Sequence, residues 1–186
     1  MPIPDVVREK TCCFSGYRPH KFRFKLEKDN SEYIQLENDI TNAILDCYRE
    51  GCDTFLCGGA MGFDLICGEL VILLKKRYPG LRLVCVIPCG DQAHSFTSSW
   101  RERYNNVLKS CDFVYLISEK YVRGCYRIRN TEMIENSSRV ITYFDGLAGG
   151  TAGTLAMAQK AKLQIINTCN TENEISEDLT FYTGRN

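Results

Sequence analysis

Two glycine-rich turns carry the residues best suited to chemistry. CGGAMGFD, residues 57–64, brings Gly58, Gly59, Met61 and Gly62 to the start of an apolar helical run. DGLAGGTAGT, residues 145–154, brings Gly146, Gly149, Gly150, Thr151, Gly153 and Thr154 to the start of a small-residue one. Glycine lets backbone N–H groups approach an anion closely, and a helix start gathers unpaired donors under a positive dipole. That chemistry is phosphate binding, with Asp64 placed to meet a ribose hydroxyl or to cap its helix. Close helix-to-sheet packing is the competing explanation for the glycines. Neither turn is a Walker A loop or a GxGxxG dinucleotide fingerprint. A third turn, SGYRPHKF at 15–22, supplies Ser15, Gly16, Tyr17, Arg18 and Pro19, and its arginine presents a planar cation to phosphate or carboxylate. KYVRGCYRIRN adds Arg123, Arg127, Arg129 and Asn130.

Glycosidic cleavage in such a site would need an acid or base near the ribose and support for an oxocarbenium-like state. Asp64, Glu69, Glu132 and Asp145 are the candidate carboxylates. No spacing forces the role on any of them, so the reading leans towards binding and away from an enzyme.

The elements that position these turns alternate from end to end: short apolar runs followed by amphipathic ones. This pattern predicts an α/β fold, a single three-layer α/β/α domain with a mostly parallel sheet. Strands are expected at TCCFSG (11–16), DTFLCGG, RLVCVIP (82–88), DFVYLIS, RVITYFDG and LQIINTC. Helices are expected at about 31–50, 64–77, from the Ser99/Glu102 capping-box spacing onward, 127–136 and 151–161. The core spans about 10–169, with a polar tail at 170–186. In such a sheet the strand-to-helix turns lie at the carboxyl edge, where ligands bind.

Composition narrows the partners. Lys plus Arg number 23 and Asp plus Glu 23, so no global basic field holds nucleic acid or an anionic membrane, which argues against a nucleic-acid partner. YRPHKFRFK interleaves Tyr17, Phe22 and Phe24 with cations and has the composition of a single-strand stacking surface. A loop whose aromatics cover the core edge is the alternative. No apolar run approaches the roughly 20 residues that span a bilayer, and the N-terminus lacks a signal core, so no membrane partner and a cytoplasmic location are expected. The 11 cysteines fall within apolar runs without CxxC pairs, and His20 and His94 stand apart from them; reduced thiols and no metal are expected.

GYRP, CGGAMGFD, VIPC (with Pro88), RNTEMIENS, YFDG and GGTAGT, in that order, resemble the YpsA-like branch of the SLOG superfamily, related to DprA and to the LOG proteins. The resemblance runs from about Lys10 to Thr168. It implies a Rossmann-like fold and a nucleotide or nucleotide-derived ligand such as ADP-ribose, with no further cofactor required. Gly59, Met61, Gly62 and Asp64 match the first glycine loop, and Gly149, Gly150, Thr151 and Thr154 the second. Gly16, Arg18 and Pro19 match the first turn, and Arg129 with Asn130 the RN pair. LOG-type phosphoribohydrolases carry a glutamate just beyond the second loop, where this chain has Leu155 and Ala156. The resemblance leaves three readings: a nucleotide-binding sensor or regulator of bacterial type, a nucleoside monophosphate glycosidase, and a DprA-like single-strand binder. A homodimer is a further implication of the family.

Overall fold

The computed structural model describes residues 3–169. Its six strands are β1 (Thr11–Gly16), β2 (Thr54–Cys57), β3 (Arg82–Ile87), β4 (Phe113–Leu116), β5 (Arg139–Tyr143) and β6 (Gln164–Asn167). They form one sheet in the order β4-β3-β2-β1-β5-β6, and every neighbouring pair is parallel. Five helices connect them: α1 (Ser31–Arg49), α2 (Phe63–Lys75), α3 (Ser98–Ser110), α4 (Cys125–Glu135) and α5 (Gly150–Lys160). α1, α2 and α3 pack in a row, and α4 packs on α5. The three-layer expectation holds, and the sheet is wholly parallel.

The central strands are apolar on both faces because helices cover both; β2 and nearly all of β1 and β3 are buried along their length. α1 turns Tyr33, Leu36, Ile40, Ala43, Ile44 and Cys47 inward, each large side chain contributing about 1.5–3 kcal/mol by burial. Asn30 starts it by accepting from the Tyr33 N–H at 3.0 Å, and Gly51 at φ +98° ends it. Nine of the 11 cysteines are buried, as small hydrophobes in the core. β4 is an edge strand and leaves Phe113, Val114 and Leu116 exposed.

One local expectation fails. Ser99 and Glu102 form no capping box: α3 begins two residues earlier, Thr97 is its N-cap, and the cap makes no side-chain bond to the helix backbone. The Thr97 hydroxyl lies 3.2 Å from that of Ser99 instead, so the two hydroxyls that favour a helix start satisfy each other. The polar tail expected at 170–186 lies outside the described residues.

The strand order reverses between β1 and β5: successive crossovers run from β1 out to β4, and α4 carries the chain back to β5. In an open parallel sheet a ligand crevice lies beyond the carboxyl ends of two such strands, where their loops diverge.

Candidate functional site

A cleft of about 330 Å³ opens at that switch point. β1 contributes Phe14, Ser15 and Gly16, and the loop behind it Arg18 and Lys21. Asp64 comes from the first turn of α2, Tyr126, Arg129 and Asn130 from α4, and Gly150, Thr151 and Thr154 from α5.

The N-terminus of α5 forms one wall. Its N-cap, Gly149, sits at φ +143°, in a conformation that side chains rarely adopt, and supplies no capping side chain. The first N–H groups of the helix therefore face the cleft mouth without an intrahelical partner, under the positive end of the dipole. The hydroxyls of the two threonines are engaged within the protein. Thr151 donates to the Gly16 carbonyl at 3.1 Å, and Thr154 donates to the Gly150 carbonyl at 3.0 Å while accepting from Asn130 at 2.9 Å. Their hydroxyls fix the helix start against β1 and α4.

Cations form the other wall. The Arg129 guanidinium is buried, reaches across the carboxyl end of β2, and places Nη1 3.3 Å from Asp64 Oδ2. Its Nε has no hydrogen-bond partner among the described residues. Arg18 is partly buried; desolvation by that burial pushes its guanidinium down, and Arg129 nearby adds to the effect. Lys21 donates to the Ala148 carbonyl at 2.9 Å and thereby ties the β1 loop to the β5 loop. A desolvated cation beside a buried guanidinium with an unused donor stabilises an anion far more than an exposed pair would.

Asp64 is the one acid among these residues. Burial pushes its carboxyl up from the ordinary value, while Arg129 and Arg18 pull it back down. Because its folded pKa is raised, this group's contribution to stability falls as pH rises through that value. Acidification protonates Asp64 and removes a negative charge from the cleft, so the affinity for a phosphodiester, which does not titrate in this range, is expected to rise severalfold as pH falls. Fluorescence anisotropy across a pH series checks this, and Asp64→Asn should flatten the profile.

Of the other candidate carboxylates, Glu69 is held on the outside of α2 by Arg103, at 2.7 and 2.6 Å, and Glu132 stands beyond the cleft on α4. Asp145 is bound by Arg23 at 3.0 Å and accepts a short hydrogen bond from the Tyr17 hydroxyl. Burial and Asp145 push that phenol up to about 12. Tyr17 also accepts from the Leu147 N–H at 3.2 Å, so Tyr17 and Asp145 brace the two loops behind the cleft. Leu155, where LOG-type enzymes carry a glutamate, is fully buried in the core.

The first glycine loop serves packing. A Cβ on Gly58 would lie 1.3 Å from Arg129 Nη1 and 2.7 Å from Asp64 Oδ2, so the buried pair occupies the space of that missing side chain. Gly59 and Gly62 have φ of +65° and +91°, and Gly62 packs on the Tyr17 carbonyl and Pro19. Met61, Pro88, Gly146 and Gly149 lie outside the cleft lining, as do Tyr17, Pro19 and these three glycines. The structure thus gathers Ser15, Gly16, Arg18, Asp64, Arg129, Asn130, Gly150, Thr151 and Thr154, and adds Phe14, Ala60, Lys21 and Tyr126. Tyr126 carries no motif signal; only its place one helical turn from Arg129 and Asn130 connects it to them.

A model of the YpsA family, described as the YspA SLOG family, matches residues 12–171. The chain belongs to this SLOG family. Its relatives include the UPF0398 protein BH1768 of Halalkalibacterium halodurans, 25% identical over 158 residues that cover 83% of each chain, and the UPF0398 protein SERP1017 of Staphylococcus epidermidis, 26% identical over 139 residues and 73% of each. Among solved structures, DNA processing protein A of Helicobacter pylori superposes with a TM-score of 0.60 at 17% identity, over 95% of this chain and 71% of that one. DprA of Streptococcus pneumoniae gives 0.56 at 13% identity, over 94% and 53%. The Helicobacter protein is described by its single-stranded DNA binding mode.

That likeness corrects the argument against a nucleic-acid partner: a protein that shares this fold binds single-stranded DNA, so a balanced net charge excludes nothing. Of the two readings of the aromatic loop, the structure shows the one in which its rings cover the core edge. Tyr17 and Phe22 are buried, and Phe22 packs edge-on against Tyr17 and Phe24, with centroids at 6.1 and 5.4 Å. Those rings belong to the core edge, while Arg23 and Lys25 face water. Among the described residues no helix is long and apolar enough to cross a membrane.

Proposed function

We propose that the cleft binds single-stranded nucleic acid by seating a backbone phosphate at the N-terminus of α5, against Arg18 and Arg129. The observation that carries this reading is the buried Arg129 guanidinium, which lines a cleft floored by an uncapped helix start and whose Nε has no hydrogen-bond partner among the described residues. The likeness to a single-stranded DNA binder favours a polymeric ligand. A free nucleotide or ADP-ribose is the second reading, favoured by the cleft's size: about 330 Å³ lies at the small end of the range for small-molecule sites.

Both are tested in one titration. A labelled oligodeoxythymidine is followed by anisotropy, with AMP and ADP-ribose as competitors. The strand is expected to bind with a log–log salt slope of about −1.4 to −2.1, the value for two or three phosphate contacts on a single strand. Binding of the mononucleotides alone would establish the second reading in place of the first. Absence of binding by every probe would refute both.

A further inference from the structure

α4 and α5 pack side by side, and a groove of about 530 Å³ runs along them. Tyr126, Asn130, Gly150 and Thr154 line both this groove and the cleft at the switch point, so the two adjoin. Beyond the shared residues the groove is bounded by Gly153, Ala156 and Met157, with Arg127 and Lys160 at its margins. It is the less polar of the two spaces: a tyrosine ring, a thioether and a methyl group line it.

Nothing among the described residues requires a glycine at position 153. It is the fourth residue of α5, where glycine is the least favourable choice after proline. A Cβ there would meet nothing within 4 Å, and the backbone is ordinary helix. Gly68 in α2 shows the contrast, since its Cβ would lie 3.2 Å from Val107 and 3.3 Å from the Cys57 sulfur. Packing therefore accounts for Gly68. At Gly153 the space a side chain would take is left open on the groove wall. The neighbouring cleft independently holds the buried Arg129 with its unused Nε.

The geometry points to a nucleobase subsite: a base whose phosphate rests at the start of α5 lies in the α4–α5 groove, over Gly153 and against the Tyr126 ring and the Met157 thioether. Tyr121, with its ring centroid 6.4 Å from that of Tyr126 and 60% exposed, extends the aromatic surface. A base is flat and apolar on its faces, and stacking on an aromatic ring tolerates any base. Divided in this way, the site holds phosphate by charge and helix dipole and holds the base by area. The inference rests on the proposed reading of the cleft as a nucleotide-unit site.

Gly153→Leu tests it. Leucine fills the groove, clashes with nothing at its Cβ, and is the better helix former, so the thermal midpoint should not fall. Binding of a labelled oligodeoxythymidine is compared with that of an abasic strand of equal length. The parent is expected to prefer the base-bearing strand at least tenfold. Gly153→Leu should lower that affinity to the abasic level and leave abasic binding unchanged, and Tyr126→Ala should also lower binding of the base-bearing strand. Undiminished binding of the base-bearing strand by Gly153→Leu, or an equal loss for both strands, would overturn the base subsite and leave the phosphate reading standing. A parent that binds neither strand, nor AMP, would overturn the cleft reading and this inference with it.

Discussion

Arg129→Met is expected to lower the stability of the protein by about 3–5 kcal/mol, the usual result of removing one partner of a buried ion pair. The reason is Asp64. Its side chain is only 7% exposed, and Arg129 is its one ion-pair partner among the described residues. Without the guanidinium, the carboxylate must stay charged in a dry site or take up a proton, and its pKa, raised by burial already, climbs further. The loss should consequently be larger at about pH 8 than at about pH 5, because a raised acid loses its stabilising contribution as pH rises. Urea denaturation at both pH values measures this. Asp64→Leu combined with Arg129→Met should recover most of the stability, since an apolar pair of similar volume often replaces a buried ion pair without net cost. A double variant as unstable as the single one would show that Arg129 acts through packing around Gly58 and the loop after β2.

If the double variant folds and no longer binds the strand, the pair is retained for the cleft rather than for the fold. Such an outcome fits the way the surroundings are built. Gly58 gives up its side chain to admit the guanidinium, and Nε remains without a partner although it is buried. A site that only needed stability would satisfy that donor or replace the arginine with an apolar residue.

The fold was legible because each helix and central strand carries a pattern that survives without tertiary context. α1 places its apolar residues at helical spacing and ends at a glycine, and β1, β2 and β3 are short apolar runs bounded by turns. Glycine was the ambiguous signal. The same residue type marks backbone that must approach a ligand, backbone that must turn, and room for a neighbour's side chain, and only coordinates separate these. Gly58 makes room for Arg129, Gly149 holds a left-handed cap, and Gly153 meets nothing. Net charge misled for a related reason: it sums over the surface, whereas Arg18, Lys21 and Arg129 gather from two distant segments at one sheet edge. The aromatic loop was ambiguous because alternation of rings and cations looks the same whether the rings face a base or the core; here Tyr17, Phe22 and Phe24 close over Tyr143 and Phe144.

Gly150→Glu is expected to abolish binding of the strand, lowering its affinity at least 100-fold, while the protein stays as stable as the parent. Gly150 is the first residue of α5, lines the cleft, and has nothing within 4 Å of where its Cβ would be, so a longer side chain meets no steric objection. Glutamate in the first turn also complements the helix dipole, worth about 0.3–1 kcal/mol. Its carboxylate would then sit where the phosphate is proposed to sit, drawn by the same N–H groups and by Arg18. A charge that satisfies the cradle from within excludes one from outside, and it also repels an approaching polyanion. Gly150→Gln separates these effects: it has the same bulk without the charge, and is expected to lose much less affinity and to keep the salt slope. Equal losses from the two variants would assign the effect to blocked volume, whereas unchanged binding by Gly150→Glu, with a melting temperature matching the parent, would remove the α5 N-terminus from the site altogether.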